Sequence, residues 1–203
     1  RIDGYMVATI SYRGTSRNYP ENTLLAFLKA LEIGVNEIEL DLDFTRDERV
    51  VIMHDSTVDR TTQVRSQIET FNLVKGLDAG SWFGQQFRGE SVPAWKEVLD
   101  LVQGKVKLNV HLKEIIDPPG NYKRSVAKGL HDFRMVEASV LLCDEESVEH
   151  FVEIDPAIKC QIGRGHRTAE KYIQLPWRWG FNHFNPGEIS QRRILSSERI
   201  KQV

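Results

Sequence analysis

Cysteine is scarce in this chain: Cys143 and Cys160 are the two in 203 residues, and no Cys-x-x-Cys spacing occurs. A disulfide framework and a cysteine-built zinc site are thereby excluded, and two small, buried, apolar side chains are the expectation. Long apolar runs are also missing, and none approaches the ~20 residues that a membrane helix needs. Neither sign of charge dominates, since 27 Lys+Arg stand against 29 Asp+Glu for a net charge of −2. That balance lacks the cation excess of a general nucleic-acid or acidic-membrane binder. Internal repeats, low-complexity tracts and Ser/Gly linkers are absent, so residues 1–203 read as one domain. Arg1-Ile2-Asp3-Gly4 shows no signal-peptide pattern, which fits a soluble cytoplasmic protein or an exported one with its leader removed.

What is present is the make-up of a folded domain, with 40% hydrophobic and 28% charged residues and length enough for a sizeable core. Charge is unevenly spread, because Lys159–Val203 holds nine Lys/Arg and three Glu. Within that stretch Trp177-Arg178-Trp179 and Arg192-Arg193 suggest a solvated basic face with buried tryptophans, rather than a nucleotide-stacking surface.

Periodicity gives the order of elements. Met6–Ile10 has strand length, and Pro20-Glu21-Asn22-Thr23 opens an apolar-faced helix from Leu24 to Leu31, closed by Gly34. Glu37–Phe44 alternates with period two, and Val50–Met53 is a further strand ending at His54-Asp55. Residues 56–92 are turn-rich and form a small insertion. Then follow a helix from Pro93-Ala94-Trp95, a strand at 107–113, helix 121–134, strand 138–143, helix 145–154 and strand 157–162. Helix 167–176, strand 180–185 and a helix from about Ser196 complete the order. Such alternation predicts parallel pairing with right-handed crossovers, in an open doubly wound sheet or a shortened (β/α)8 barrel.

In both folds ligands sit at the carboxyl ends of the strands, where this chain places unusual polar residues. Glu39 and Asp41, two apart, leave one face of their strand. Converging carboxylates repel unless a proton or a cation lies between them, and oxygen donors suit Mg, Ca or Mn. His111 and Lys113 repeat the spacing: the lysine suits a phosphate, the histidine a metal or a proton. His54 at a strand end is a candidate acid or base. Arg13-Gly14 after the first strand is a candidate phosphate grip, whereas Glu21-Asn22-Thr23 reads as a helix start.

Taken in order, these residues form a pattern: Ser11-Tyr12-Arg13-Gly14, Pro20-Glu21-Asn22-Thr23-Leu24, Ile38-Glu39-Leu40-Asp41, Met53-His54-Asp55, Asp59-Arg60-Thr61-Thr62 and Leu77-Asp78-Ala79-Gly80-Ser81-Trp82-Phe83. The pattern resembles the glycerophosphodiester phosphodiesterase family, closely over 7–113 and loosely beyond. The resemblance implies a TIM barrel with a small insertion after its second strand, and metal-dependent hydrolysis of glycerophosphodiesters to glycerol 3-phosphate and an alcohol. It implies that Glu39 and Asp41 bind the cation, that Arg13 and Lys113 hold phosphate, and that His54 is a general acid/base.

Two positions depart from the family pattern. Tyr12 stands where the family writes the His of His-Arg-Gly, and His111 where it writes the third metal carboxylate. Tyrosine, with an ordinary pKa of ~10, donates a proton at neutral pH but seldom accepts one. An imidazole in the ion's shell shifts preference from Mg or Ca toward Mn or Zn. A third departure is length: the last two β/α units have no counterpart, so exposed barrel edges call for more chain or a homo-oligomer. The principal reading is therefore a divergent phosphodiesterase acting on a small-molecule phosphodiester with one divalent cation. The alternatives are a pseudoenzyme that binds a phosphorylated ligand or a protein, and a phospholipase-D-like enzyme acting on lipid headgroups.

Overall fold

A computed structural model describes residues 8–113 and 120–162. Over these residues the chain forms β1 (Ile10–Ser11), α1 (Leu24–Glu32), β2 (Glu37–Phe44), β3 (Val50–Ile52), α2 (Phe71–Lys75), α3 (Trp95–Val102), β4 (Lys107–Leu112), α4 (Asn121–Asp132), β5 (Ser139–Cys143), α5 (Glu145–Ile154) and β6 (Lys159–Ile162). Five strands run parallel in the order β1-β2-β4-β5-β6, each joined to the next through a helix. The expected helix 167–176, strand 180–185, final helix, tryptophan pair and arginine pair lie outside the described residues.

One expectation about strands is corrected. The first strand is Ile10–Ser11 rather than Met6–Ile10, with Ala8 and Thr9 irregular and residues 6 and 7 outside the described range. The further strand in the Val50–Met53 run, β3, stands outside the parallel series and pairs antiparallel with β2, Leu42 opposite Ile52 and Phe44 opposite Val50. The reason is the five-residue link, since a parallel return needs a crossover of a dozen residues or more. Thr45 closes that link by donating its amide to the Arg49 carbonyl at 2.9 Å, with Glu48 in the left-handed region.

Alternation sets the layers. Ile38, Leu40 and Leu42 of β2, with Leu108, Val110 and Leu112 of β4, join a single apolar core with Phe27 of α1, Leu99 of α3 and Leu130 of α4. Helix ends carry matching signals: the Thr23 hydroxyl accepts from the Ala26 amide at 3.2 Å, and Asp144 accepts from the Ser147 amide at 2.7 Å. The turn-rich stretch after β3 has its own small core of Val51, Met53, Val58, Ile68, Val74, Ala79 and Val92. Cys143 and Cys160 are free and buried.

Gly129 marks the tightest helix contact. A Cβ there would lie 2.5 Å from the Trp95 indole nitrogen and 2.9 Å from Leu99 Cδ1. Gly→Ala inside a helix ordinarily stabilises by ~1 kcal/mol. Gly129→Ala is expected to do the reverse and destabilise by ~1–3 kcal/mol through overpacking. Urea unfolding checks this: a lower midpoint at unchanged slope is expected, and a raised midpoint refutes the packing argument.

Candidate active site

Register brings the two polar pairs together. β2 and β4 pair so that Glu39 faces Asn109 and Asp41 faces His111, while Leu40 and Leu42 hold the opposite face in the core. Asp41 is fully buried. Its Oδ1 lies 2.8 Å from Lys113 Nζ and 3.2 Å from His111 Nδ1. Its Oδ2 accepts from Asn22 Nδ2 at 3.0 Å, and the Arg13 guanidinium Nε lies 3.1 Å away.

The loop after β1 delivers Arg13. Arg13 and Gly14 both take positive φ, 50° and 71°, and a Cβ on Gly14 would lie 2.8 Å from Ala26 atoms. This bend packs the loop on α1 and directs the Arg13 amide to Glu39 Oε2 at 2.9 Å. Arg13 Nη1 bonds Glu21 at 2.9 Å, and its guanidinium stacks 4.6 Å over the Tyr12 ring. Tyr12 is otherwise exposed. Partial burial and the Glu39, Asp41 and Glu21 carboxylates raise its pKa against the pull of Arg13.

His54 lies two residues beyond β3, and the intervening Met53 amide bonds the Asp41 carbonyl at 3.0 Å, which sets this strand end beside the carboxylates. His54 Nδ1 bonds Asp55, whose other oxygen is held by Arg60. A small cleft is lined by Glu21, Asn22, Met53, His54 and Thr61. Glu21 and Asn22, read from sequence as helix start alone, thus also touch the site, while Thr23 does cap α1.

The carboxylates differ sharply. Burial and the Asp41 charge push the Glu39 carboxyl up to about 7. Burial acts on Asp41 too, but His111, Lys113 and Asn22 outweigh it and hold its pKa well below the usual range. Asp43, the third residue on that strand face, is raised to about 6 by burial. Sequence reasoning missed it, though the 39-41-43 alternation carried the signal.

Glu39, Asp41 and His111 offer donor atoms within 4.8 Å of one another and can hold an ion. The donor set fits: Glu39 bonds one backbone amide, and the Oδ1 atoms of Asn22 and Asn109 are buried with no hydrogen-bond partner among the described residues. The expectation that both carboxylates await a cation needs adjustment, because Lys113 and Arg13 already face Asp41. Glu39 is the one left short of positive charge.

The glycerophosphoryl diester phosphodiesterase family model matches residues 13–150. A glycerophosphodiester phosphodiesterase of Caldanaerobacter subterraneus subsp. tengcongensis is 40% identical over 136 residues, 65% of this chain and 56% of that protein. The chain thus spans little more than half the length of that relative. The crystal structure of an Agrobacterium tumefaciens glycerophosphodiester phosphodiesterase aligns with a TM-score of 0.70 and 30% identity, over 77% of this chain and 66% of that one. An Oleispira antarctica phosphodiesterase, solved with its product sn-glycerol-3-phosphate, aligns with a TM-score of 0.75 and 24% identity, over 82% and 71%. The parallel sheet is part of the TIM-barrel fold of these neighbours.

The raised carboxyls have a signed consequence in metal-free protein. Unfolded Glu39 loses its proton near 4.5 and folded Glu39 near 7, so its contribution to stability falls as pH rises between those values. Asp43 acts the same way between 3.8 and about 6. Asp41 is opposite, its contribution being present above its ordinary value and lost as pH falls. In chelator, Glu39→Gln is expected to gain stability over wild type from pH 5 to pH 8, on the order of 2 kcal/mol. Parallel urea-unfolding profiles for the two proteins would refute the assignment.

Proposed function

This chain belongs to the glycerophosphoryl diester phosphodiesterase family, and on that footing we propose that it hydrolyses glycerophosphodiesters to glycerol 3-phosphate and an alcohol. The observation that carries the reading is the gathering of His54, Arg13 and Lys113 around the Glu39–Asp41–His111 cluster, at the strand ends beside one cleft. The relatives named as phosphodiesterases favour turnover over the binding-only and phospholipase-D-like alternatives.

Hydrolysis forms one P–O bond to water and breaks the P–O bond to the alcohol, so one proton leaves the water and one reaches the departing oxygen. His54 handles both. Its Nδ1–H faces Asp55, so in the doubly protonated ring Nε2–H gives its proton to the leaving alkoxide and Nε2 then takes up the proton released by the water. Arg13 and Lys113 hold the phosphate through the N–H groups not already given to carboxylates. Tyr12, its pKa raised, stays protonated and donates rather than accepts. Glu39, Asp41 and His111 would hold one divalent cation, which when bound stabilises negative charge on the phosphate. The imidazole in that set favours Mn or Zn over Mg or Ca.

Glycerol 3-phosphate release from glycerophosphocholine tests the reaction. His54→Ala is expected to lower kcat by ~10²–10⁴-fold; no release by metal-loaded, folded wild type refutes it. Calorimetric titration with Mn, Zn, Mg and Ca tests the ion site separately. One site is expected, tightening as pH rises through 7 because Glu39 must shed its proton, and lost in Glu39→Ala. Unchanged binding in that variant removes Glu39 from the shell.

A further inference from the structure

Pro20-Glu21-Asn22-Thr23 and Asp59-Arg60-Thr61-Thr62 stand out in the sequence, yet the chemistry above assigns Glu21 and Arg60 nothing. They meet. Arg60 presents Nη1 to Glu21 Oε2 at 2.9 Å and Nη2 to Glu21 Oε1 at 2.7 Å, across 39 residues of chain. Its Nε turns the other way, to Asp55 Oδ2. Glu21 Oε1 also accepts from Arg13 Nη1, and Asp55 Oδ1 meets His54 Nδ1. An unbroken chain of hydrogen-bonded contacts therefore runs Arg13–Glu21–Arg60–Asp55–His54.

We propose that Arg60 is a positioning residue that fixes the His54 imidazole, through Asp55, and the Arg13 guanidinium, through Glu21, in one shared geometry. The proposal rests on the hydrolase reading of His54 and Arg13. The fork of the guanidinium is essential, because three N–H groups on separate nitrogens in one rigid plane hold one carboxylate bidentately and a second in fixed orientation, whereas the N–H groups of an ammonium diverge from a single rotatable atom. Global stability is not what the bridge supplies: the Arg60 side chain is 43% exposed, and exposed pairs add little to folding. Orientation is. A carboxylate on Nδ1 selects the Nδ1–H tautomer and frees Nε2, provided that the carboxylate is itself held. Without Arg60, Asp55 and Glu21 each lose a partner, and the two working groups are released together.

The experiment compares wild type, Arg60→Gln and Arg60→Lys as full chains, with thermal melts confirming that each is folded. The ¹⁵N signals of the His54 ring, assigned against His54→Ala, should show the Nδ1–H tautomer in wild type and a tautomer mixture in both variants. Inorganic phosphate should bind several-fold more weakly to both variants. Turnover of glycerophosphocholine should fall ~10–100-fold in each, the usual cost of losing a group that orients another. In a His54→Ala background, Arg60→Gln should add far less than it does alone. An unchanged ¹⁵N signature in folded Arg60→Gln overturns the proposal, and so does full rescue by Arg60→Lys, which would mean that charge alone matters. Absent wild-type turnover with a shifted tautomer would instead overturn the hydrolase reading and leave the positioning role standing.

Discussion

Everything at the site depends on a carboxylate with no access to water. Asp41 is fully buried, and an uncompensated buried charge costs about 3–5 kcal/mol when a partner is removed. Four side chains meet that demand: His111 from β4, Lys113 just beyond its end, Asn22 from the turn before α1, and Arg13 from the loop after β1. Each contact fixes a segment that the backbone alone leaves free to shift. The groups read as phosphate holders are thus already aligned by the acid beneath them.

The sheet makes room for this in an unusual way. β1 pairs with β2 only at Glu37 and Ile38, and β3 takes over the same side from Leu42 onward. Between them, among the described residues, no strand lies beside this edge of β2 at residues 39–41. Arg13 enters this notch with its backbone in the left-handed region, and the Met53 amide closes the far side on the Asp41 carbonyl. Gly14 allows the loop to lie on Ala26 without a clash. Binding groups collect where the sheet changes partner because the backbone there is turning and its side chains point into one space.

Local pattern revealed much of this. The alternation in Glu37–Phe44 gave a strand with those limits, and the i, i+2 pairs Glu39/Asp41 and His111/Lys113 do share one face. The Pro20–Thr23 stretch did start a helix. What stayed hidden depends on partners distant in sequence. Nothing near Glu21 announces Arg60, 39 residues on. The depressed Asp41 and raised Glu39 differ through the contacts each receives from other segments, although the two read alike as residues. The antiparallel direction of β3 is legible in its five-residue link to β2, too short for a parallel return.

The separation of 72 positions from Asp41 to Lys113 carries a consequence for synthesis on the ribosome. Until β4 has emerged, β2 presents Glu39, Asp41 and Asp43 with no lysine opposite, and desolvating that acidic face is unfavourable. The early chain can collapse α1 against Leu40 on the outer side, while the inner side stays wet. Arrival of β4 then neutralises the strand and seals it in one event, after a long loop has been closed. Electrostatics thereby times assembly: the residues that equip the mature protein for chemistry also keep its half-made sheet from closing on the wrong neighbour.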